Sequence, residues 1–211
     1  MASLPPVIPL FPLPDVVLFP RVPLPLHIFE PRYRKMIADA LAGPRLIGMV
    51  LLRPGWERDY EGRPPVYAHG CAGHIEQHEA LPDGRSNILL RGLTRFRILE
   101  EHAGEPYRLA AVAPVADEGG DEAEIEVARR EVMAAIGRAA DGPQVLVIKP
   151  DVPADVFVNA LSQSLDLRAV ERQSLLECDG VLERYRRLLS ILDFRQLERG
   201  GPAGPAKPTI H

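Results

Sequence analysis

The chain has 211 residues, 46% hydrophobic and 26% charged, which is the balance of a folded soluble protein rather than a disordered one. That length suits one large domain or two small ones, and no run approaches the ~18 uninterrupted apolar residues of a membrane span. A net charge of −4 gives no footing to a generic polyanion binder, and two cysteines are too few for a disulfide framework.

Nine of the 22 prolines fall within the first 31 residues. Proline fixes φ and lacks a donor, so this stretch reads as extended chain, short edge strand and turns. It is also too apolar to stay solvated, and Phe19, Leu24, Leu26 and Phe29 are assigned to the core. The N-terminus has no basic stretch leading into an apolar run, so no signal peptide is expected and the location is expected to be cytoplasmic.

Pro31 is a good first-turn residue, and the spacing predicts a helix from there to a stop at Gly43-Pro44. Tyr33, Met36, Ile37, Ala40 and Leu41 would share its buried face. Leu46 to Leu52 is a short apolar run that reads as a buried strand. A polar loop from Arg53 to Pro65 follows and carries the only tryptophan, Trp56. Tyr67 to Glu79 reads as a strand, Pro82-Asp83-Gly84-Arg85 as a hairpin turn, and Ser86 to Arg91 as the returning strand. Gly92 breaks that pattern. Thr94–Glu101 and Tyr107–Val115 supply two more strands around Gly104. Strands joined by short turns predict an antiparallel, barrel-like sheet.

After Asp117-Glu118-Gly119-Gly120 the period becomes helical. Ile125, Ala128, Val132, Ile136 and Ala139 mark a helix ending at Asp141-Gly142-Pro143. A second follows Pro153 with Val156, Phe157, Ala160 and Leu161 buried, and a third spans about Arg168 to Glu177. The last starts at Asp179 as cap and runs through Leu182, Tyr185, Leu189 and Leu192. The expected units are residues 1–117, an α+β part with one flanking helix, and 118–199, a helical bundle. Residues 200–211 are expected to be a flexible tail.

Candidate chemistry is sparse. A phosphate loop needs Gly-Lys-Ser/Thr, yet none of the three lysines, Lys35, Lys149 and Lys207, follows a glycine. His69, Cys71, His74 and His78 lie close together, but alternation along a strand separates the pairs, and His74 and His78 would stand ~13 Å apart. No metal site is expected. Cys178 and Ser162 lack the neighbours of a nucleophile. Glu100-Glu101 and Asp117-Glu118 read as solvated edges. Arg91, Arg95 and Arg97 around Phe96 would suit an RNA reader only with exposed aromatics, and a solvated strand face is favoured.

Specific strings carry more. Ile8-Pro9-Leu10-Phe11-Pro12-Leu13-Pro14-Asp15 to Pro20, then Pro23 to Glu30-Pro31-Arg32-Tyr33, resemble the opening of the Lon protease N-terminal substrate-binding domain. Gly70-Cys71-Ala72-Gly73-His74-Ile75 resembles that family's Gly-small-Ala-x-Ile strand, and Leu81–Arg85 leading to Leu90-Arg91-Gly92-Leu93-Thr94-Arg95-Phe96-Arg97-Ile98 its hairpin. Gln173–Glu177 and Arg184–Leu192 resemble its helical C-terminal part. The resemblance implies a PUA-like antiparallel β-barrel subdomain with a flanking helix, followed by a C-terminal helical bundle. It implies recognition of unfolded or partly folded polypeptide, with a separate protease or chaperone as a further partner. Full-length Lon continues into an ATPase and a Ser-Lys peptidase module, whereas this sequence stops at His211. The expectation is therefore a non-enzymatic binding module with no cofactor and no membrane partner; nucleic acid is the disfavoured alternative, since PUA-like barrels of other families bind RNA.

Where polypeptide would bind is read from residue type. Trp56 and Tyr60, set among Arg53, Glu57, Arg58 and Asp59, suit an exposed interaction surface. The competing reading, a lid folded back over the barrel, stands level with it. Arg53 and Arg58 complete the candidate set. Glu30 and Arg32 flank Pro31, where a carboxylate favours the helix start, and are read as anchoring the barrel to the first helix.

Overall fold

The computed structural model describes residues 4–60, 62–102, 106–139 and 152–200. Six strands form one sheet: β1 (Val7–Leu13), β2 (Pro23–Ile28), β3 (Leu46–Leu52), β4 (Val66–Ala80), β5 (Ser86–His102) and β6 (Arg108–Val115). Helix α1 (Pro31–Ala42) lies between β2 and β3, and α2 (Glu122–Ala139), α3 (Ala154–Ser164), α4 (Ala169–Leu176) and α5 (Val181–Gly200) follow the sheet. The strand order is β2-β5-β4-β3-β1-β6, and β6 also pairs with β5. Those pairings close β1, β3, β4, β5 and β6 into a ring, with β2 as an added outer strand. The result is a mixed α+β fold. The end of α2 expected at Asp141-Gly142-Pro143 and the tail 201–211 lie outside the described residues.

One pairing departs from the all-antiparallel expectation. β1 runs parallel to β3, from Leu10 opposite Gly48 to Leu13 opposite Leu51. The chain travels through β2 and α1 before re-entering the sheet, which is the long connection a parallel pair requires. β1 is also no edge strand, despite Pro9 and Pro12. It pairs with β6 over Val7–Leu10 and with β3 over Leu10–Leu13. Each half has a partner on one side only, so a proline can turn its donorless nitrogen to the other.

β5 also corrects the reading at Gly92, which does not end a strand. The strand runs on, and Leu93 is the extra residue of a bulge opposite Ala72 and Gly73. Gly92 is required for packing: a Cβ there would lie 2.0 Å from the Phe19 carbonyl oxygen. A second bulge makes Leu99 the extra residue opposite Val112 and Ala111. Bulges re-aim side chains, and both leucines are exposed, 46% and 57%.

Two apolar clusters hold the fold. Ile8, Leu10, Val50, Ala72, Phe96, Ala110 and Val112 form the smaller, within the ring. The larger joins Phe11, Met49, Leu51 and Cys71 to α1 through Tyr33, Met36 and Ile37, and to the later helices through Val132, Phe157, Leu161 and Leu188. In α3 the buried face is Phe157, Val158, Asn159 and Leu161, with Ala160 exposed and Val156 half-buried, a rotation from the predicted face. Helix α5 starts one step later than expected, with the Gly180 carbonyl accepting from the Arg184 N–H.

Between strands and helices lies a buried ionic clasp where a solvated strand face was expected. Asp117 Oδ1 accepts from Arg95 Nη2 at 2.8 Å and from Arg184 Nη2 at 2.7 Å. Arg95 also donates to the carbonyls of Leu176, Cys178, Ala116 and Asp179. Arg184 donates to Leu175 O and to Asn159 Oδ1, and Asn159 reaches Pro20 O at 3.1 Å. Asp117 is thus no free surface carboxylate: it neutralises two arginines that are both fully buried or nearly so. Burial draws the Arg95 guanidinium below its usual range, with Asp117 acting in the opposite sense.

Candidate functional site

The segment from Arg53 to Pro65 leaves β3 and returns to β4. Its base is closed by the Arg53 N–H donating to Pro65 O at 2.8 Å. Gly55 takes a left-handed φ of 90° and starts a 3₁₀ turn over Trp56–Asp59. The Asp59 carbonyl accepts from the Gly62 N–H, and its carboxylate from the Arg63 N–H. On the return side, Arg63 donates to His102 O and the buried Arg108 to Pro64 O at 2.8 Å. A loop of polar composition is thereby built into a defined shape.

All four predicted site residues lie here. Trp56 and Tyr60 are half-buried, while Arg53 and Arg58 are exposed. The two aromatic rings meet edge to face, centroids 5.3 Å apart. Arg53 stacks over Tyr67 of β4 at 5.5 Å, so it braces the loop base. The loop folds back at Tyr60 and still presents part of Trp56.

What holds Tyr60 was missed in the sequence. Its hydroxyl donates to Glu30 Oε1 at 2.6 Å, and Arg32 Nη1 donates to its carbonyl at 3.3 Å. The Arg32 guanidinium lies 4.9 Å from the Tyr60 ring centre and 4.7 Å from that of Tyr33, and it pairs with Glu30 at 2.9 Å. Partial burial and the bond to Glu30 both push the Tyr60 phenol above its ordinary range. Glu30 and Arg32 are expected to anchor the barrel to the first helix; Glu30 makes no side-chain cap to α1, and both side chains also reach Tyr60 of the loop. The available signal was Pro31, which fixes two opposite charges on either side of a helix start.

Phe29, expected in the core, is 59% exposed and stacks beside His27 at 6.3 Å. Ile28 is the buried residue, so alternation turns Phe29 outward. Leu24 and Leu26 are partly buried and Phe19 fully so. In the arginine-rich string Arg95 and Phe96 are buried, Arg91 is held by Glu76 at 2.5 Å, and Arg97 is exposed.

The histidine-cysteine string is dispersed in the same way. Cys71 lies in the core, His69 is half-buried near Glu177, and His78 is exposed. Among the described residues no group of three or more His, Cys, Asp or Glu is placed to hold a metal ion. Burial pushes both thiols above the ordinary cysteine range, the reverse of what a nucleophile needs. Ser162 spends its hydroxyl on Val158 O at 2.7 Å. Among the described residues no helix is long and apolar enough to cross a membrane.

Comparison with known proteins places this arrangement. The family model of the ATP-dependent protease La (LON) substrate-binding domain matches residues 7–193. The Lon protease of Flavobacterium johnsoniae is 28% identical over 203 residues, which is 90% of this chain and 24% of that protein. Lon protease 2 of Herpetosiphon aurantiacus is 31% identical over 197 residues, 88% of this chain and 23% of its own length. The chain therefore spans about a quarter of the curated relatives it matches. Among solved structures, a Lon N-terminal domain protein from Xanthomonas campestris is similar with a TM-score of 0.62 at 25% identity, over 87% of this chain and 97% of that one. The N-terminal domain of a Mycobacterium avium complex Lon protease shares the fold at a TM-score of 0.68 and 18% identity, over 89% and 98%. With the family model covering nearly the whole chain, this protein belongs to the family of the Lon substrate-binding domain.

Proposed function

We propose that this chain is a polypeptide-binding module that acts in the cytoplasm without enzymatic activity of its own. The observation that carries the reading is the match of residues 7–193 to a substrate-binding domain. In this reading a PUA-like barrel subdomain, residues 1–117, is braced by a helical bundle, residues 118–199. Unfolded or partly folded polypeptide is the ligand, and a separate protease or chaperone receives it. Trp56 and Tyr60 form the contact, with Arg53 and Arg58 on its rim.

The shape of the loop supports this assignment. Trp56 offers a large ring with few rotors to freeze, on a turn fixed from below. The outer edge of β2 does not compete for an extended chain, because Pro23 and Pro25 offer it no N–H. Against catalysis stand two thiols held protonated by burial and the lack of any Gly-Lys-Ser/Thr phosphate loop in these residues.

The test is binding of reduced, carboxymethylated α-lactalbumin, a permanently unfolded chain. Trp56→Ala should weaken it at least about tenfold, the worth of ~1.4 kcal/mol, with the melting temperature nearly unchanged. A large stability loss with unchanged affinity would refute the assignment. ATP and casein turnover by the purified chain should match a buffer blank; turnover of either, with contaminating protease excluded, would refute the non-enzymatic reading.

A further inference from the structure

We infer that Glu30 and Arg32 are positioning residues of this binding site: together they clamp Tyr60 so that Trp56 is presented in one fixed orientation. The inference deepens the polypeptide-binding reading and rests on it.

The first observation is a carboxylate spent in an unusual place. Glu30 occupies the N-cap of α1 with extended backbone, φ −66° and ψ 134°, where a side-chain acceptor ordinarily stabilises the first turn. It makes no such cap. One oxygen takes the Tyr60 hydroxyl at 2.6 Å and the other takes Arg32 Nε at 2.9 Å. A helix cap therefore does not account for the group, since one of its two oxygens serves a residue thirty positions away.

The second observation is how completely Tyr60 is held. Its hydroxyl meets Glu30, its carbonyl meets Arg32 Nη1, and the same guanidinium covers its ring. Arg32 is in turn fixed against Tyr33, whose own hydroxyl reaches Pro12 O on β1 at 3.3 Å. A continuous line of contacts thus runs from the ring of strands through the start of α1 to the loop. Pro31 stiffens the two-residue separation between the clamping charges. The Glu30 and Arg32 side chains are about four-fifths shielded from solvent, 18% and 19% exposed, so their attraction is stronger than that of a free surface pair.

The third is what the clamp leaves unused. Tyr60 has its polar end consumed and one ring face covered, while its edge-to-face contact sets Trp56 at 5.3 Å. Trp56 is the part of the pair left to meet a ligand. Holding a contact residue before binding removes an ordering cost that the complex would otherwise carry.

The experiment uses the full chain and three single variants, Tyr60→Phe, Glu30→Ala and Glu30→Gln, with the double variant Tyr60→Phe/Glu30→Ala. Two quantities are read: emission of the only tryptophan without ligand, and Kd for reduced, carboxymethylated α-lactalbumin. Tyr60→Phe and Glu30→Ala should each red-shift the emission and weaken binding roughly three- to tenfold, the weight of one hydrogen bond. The double variant should be no weaker than Glu30→Ala alone, because the Tyr60 hydroxyl bond is already lost there. Glu30→Gln, which keeps an acceptor for the phenol, should retain most of the affinity. Unchanged emission, additive losses or tighter binding would overturn the inference while leaving the Trp56→Ala result standing. Failure of the unmutated chain to bind the probe would instead overturn the function reading, and this one with it.

Discussion

Removing the Asp117 carboxylate tests whether one charge ties the strands to the helices. Its Oδ1 is shared by Arg95 at 2.8 Å and Arg184 at 2.7 Å, and both arginines are buried. Asp117→Ala leaves two buried guanidinium groups without the carboxylate they share. Breaking a buried pair by deleting one partner costs about 3–5 kcal/mol. The carboxylate itself is 25% exposed, which places the expected loss at the lower end, about 3 kcal/mol. At 2–4 °C per kcal/mol for a chain of this size, the melting temperature should fall by roughly 6–12 °C. Asp117→Asn keeps an oxygen acceptor but no charge, and should fall by about half as much. Thermal unfolding followed by circular dichroism, with calorimetry to check for a single transition, gives both numbers. A drop within about 1 kcal/mol for Asp117→Ala would show that the carbonyls around Arg95 and Arg184 suffice, and the ionic clasp would be discarded.

Three further outcomes follow from other contacts. Gly92→Ala should destabilise by about 2 kcal/mol or more, because the new Cβ would sit 2.0 Å from the Phe19 carbonyl oxygen; a chemical denaturation midpoint equal to that of the unmutated chain would refute this. Burial alone would push the Glu171 carboxyl up, but bonds from Arg168 and Arg195 outweigh it and hold it below the ordinary range. A depressed native value means stability that is present above the unfolded value near 4.3 and lost as pH falls through the native one. Glu171→Gln should therefore lower the melting temperature at pH 7 and reduce its fall below about pH 4.3; an unchanged acid profile would contradict the sign. Cys71 and Cys178 should react with Ellman's reagent at pH 8 far more slowly than in denaturant, since burial keeps both thiols protonated; immediate reaction of either in the native protein would overturn that.

Much of the fold was legible because local rules and packing agree. The spacing of Tyr33, Met36, Ile37 and Ala40 behind Pro31 marked α1, and the run Leu46–Leu52 is β3. What was not legible depends on contacts distant in sequence. The parallel pairing of β1 follows from where β3 lies, which no proline count reveals. Gly92 looks like a strand break until Phe19 is seen against it. Arg95 reads as a surface cation in a strand of alternating residues, yet its partners lie some eighty positions on, at Leu176 and Cys178. The loop gave up its aromatic pair through composition alone. The clamp upon it did not show, because Glu30 stands where a helix cap belongs and only the tertiary structure reveals its other use.

Side-chain capture through the loop and main-chain capture at a sheet edge make different demands, and β2 separates them. Closing five strands into a ring leaves the outer side of β2 as one edge where a further strand could add. Pro23 and Pro25 lie on that strand with His27, alternating with the more buried Leu24, Leu26 and Ile28. The Pro23 carbonyl accepts from Gln163 Nε2 at 2.8 Å, which fits a backbone turned to the outer edge at Pro23, Pro25 and His27. Two of three successive outer positions thus lack a donor, and one of their carbonyls is already taken. Replacing Pro25 with threonine would restore one N–H in a β-favouring residue without touching the inward leucines. The variant should associate with concentration in sedimentation velocity, or bind extended peptides more tightly, while the unmutated chain does neither through this edge. If Pro25→Thr, shown folded by circular dichroism, behaves as the unmutated chain does, the prolines are not what keeps the edge closed. Main-chain addition would then return as a rival to Trp56 for holding the polypeptide.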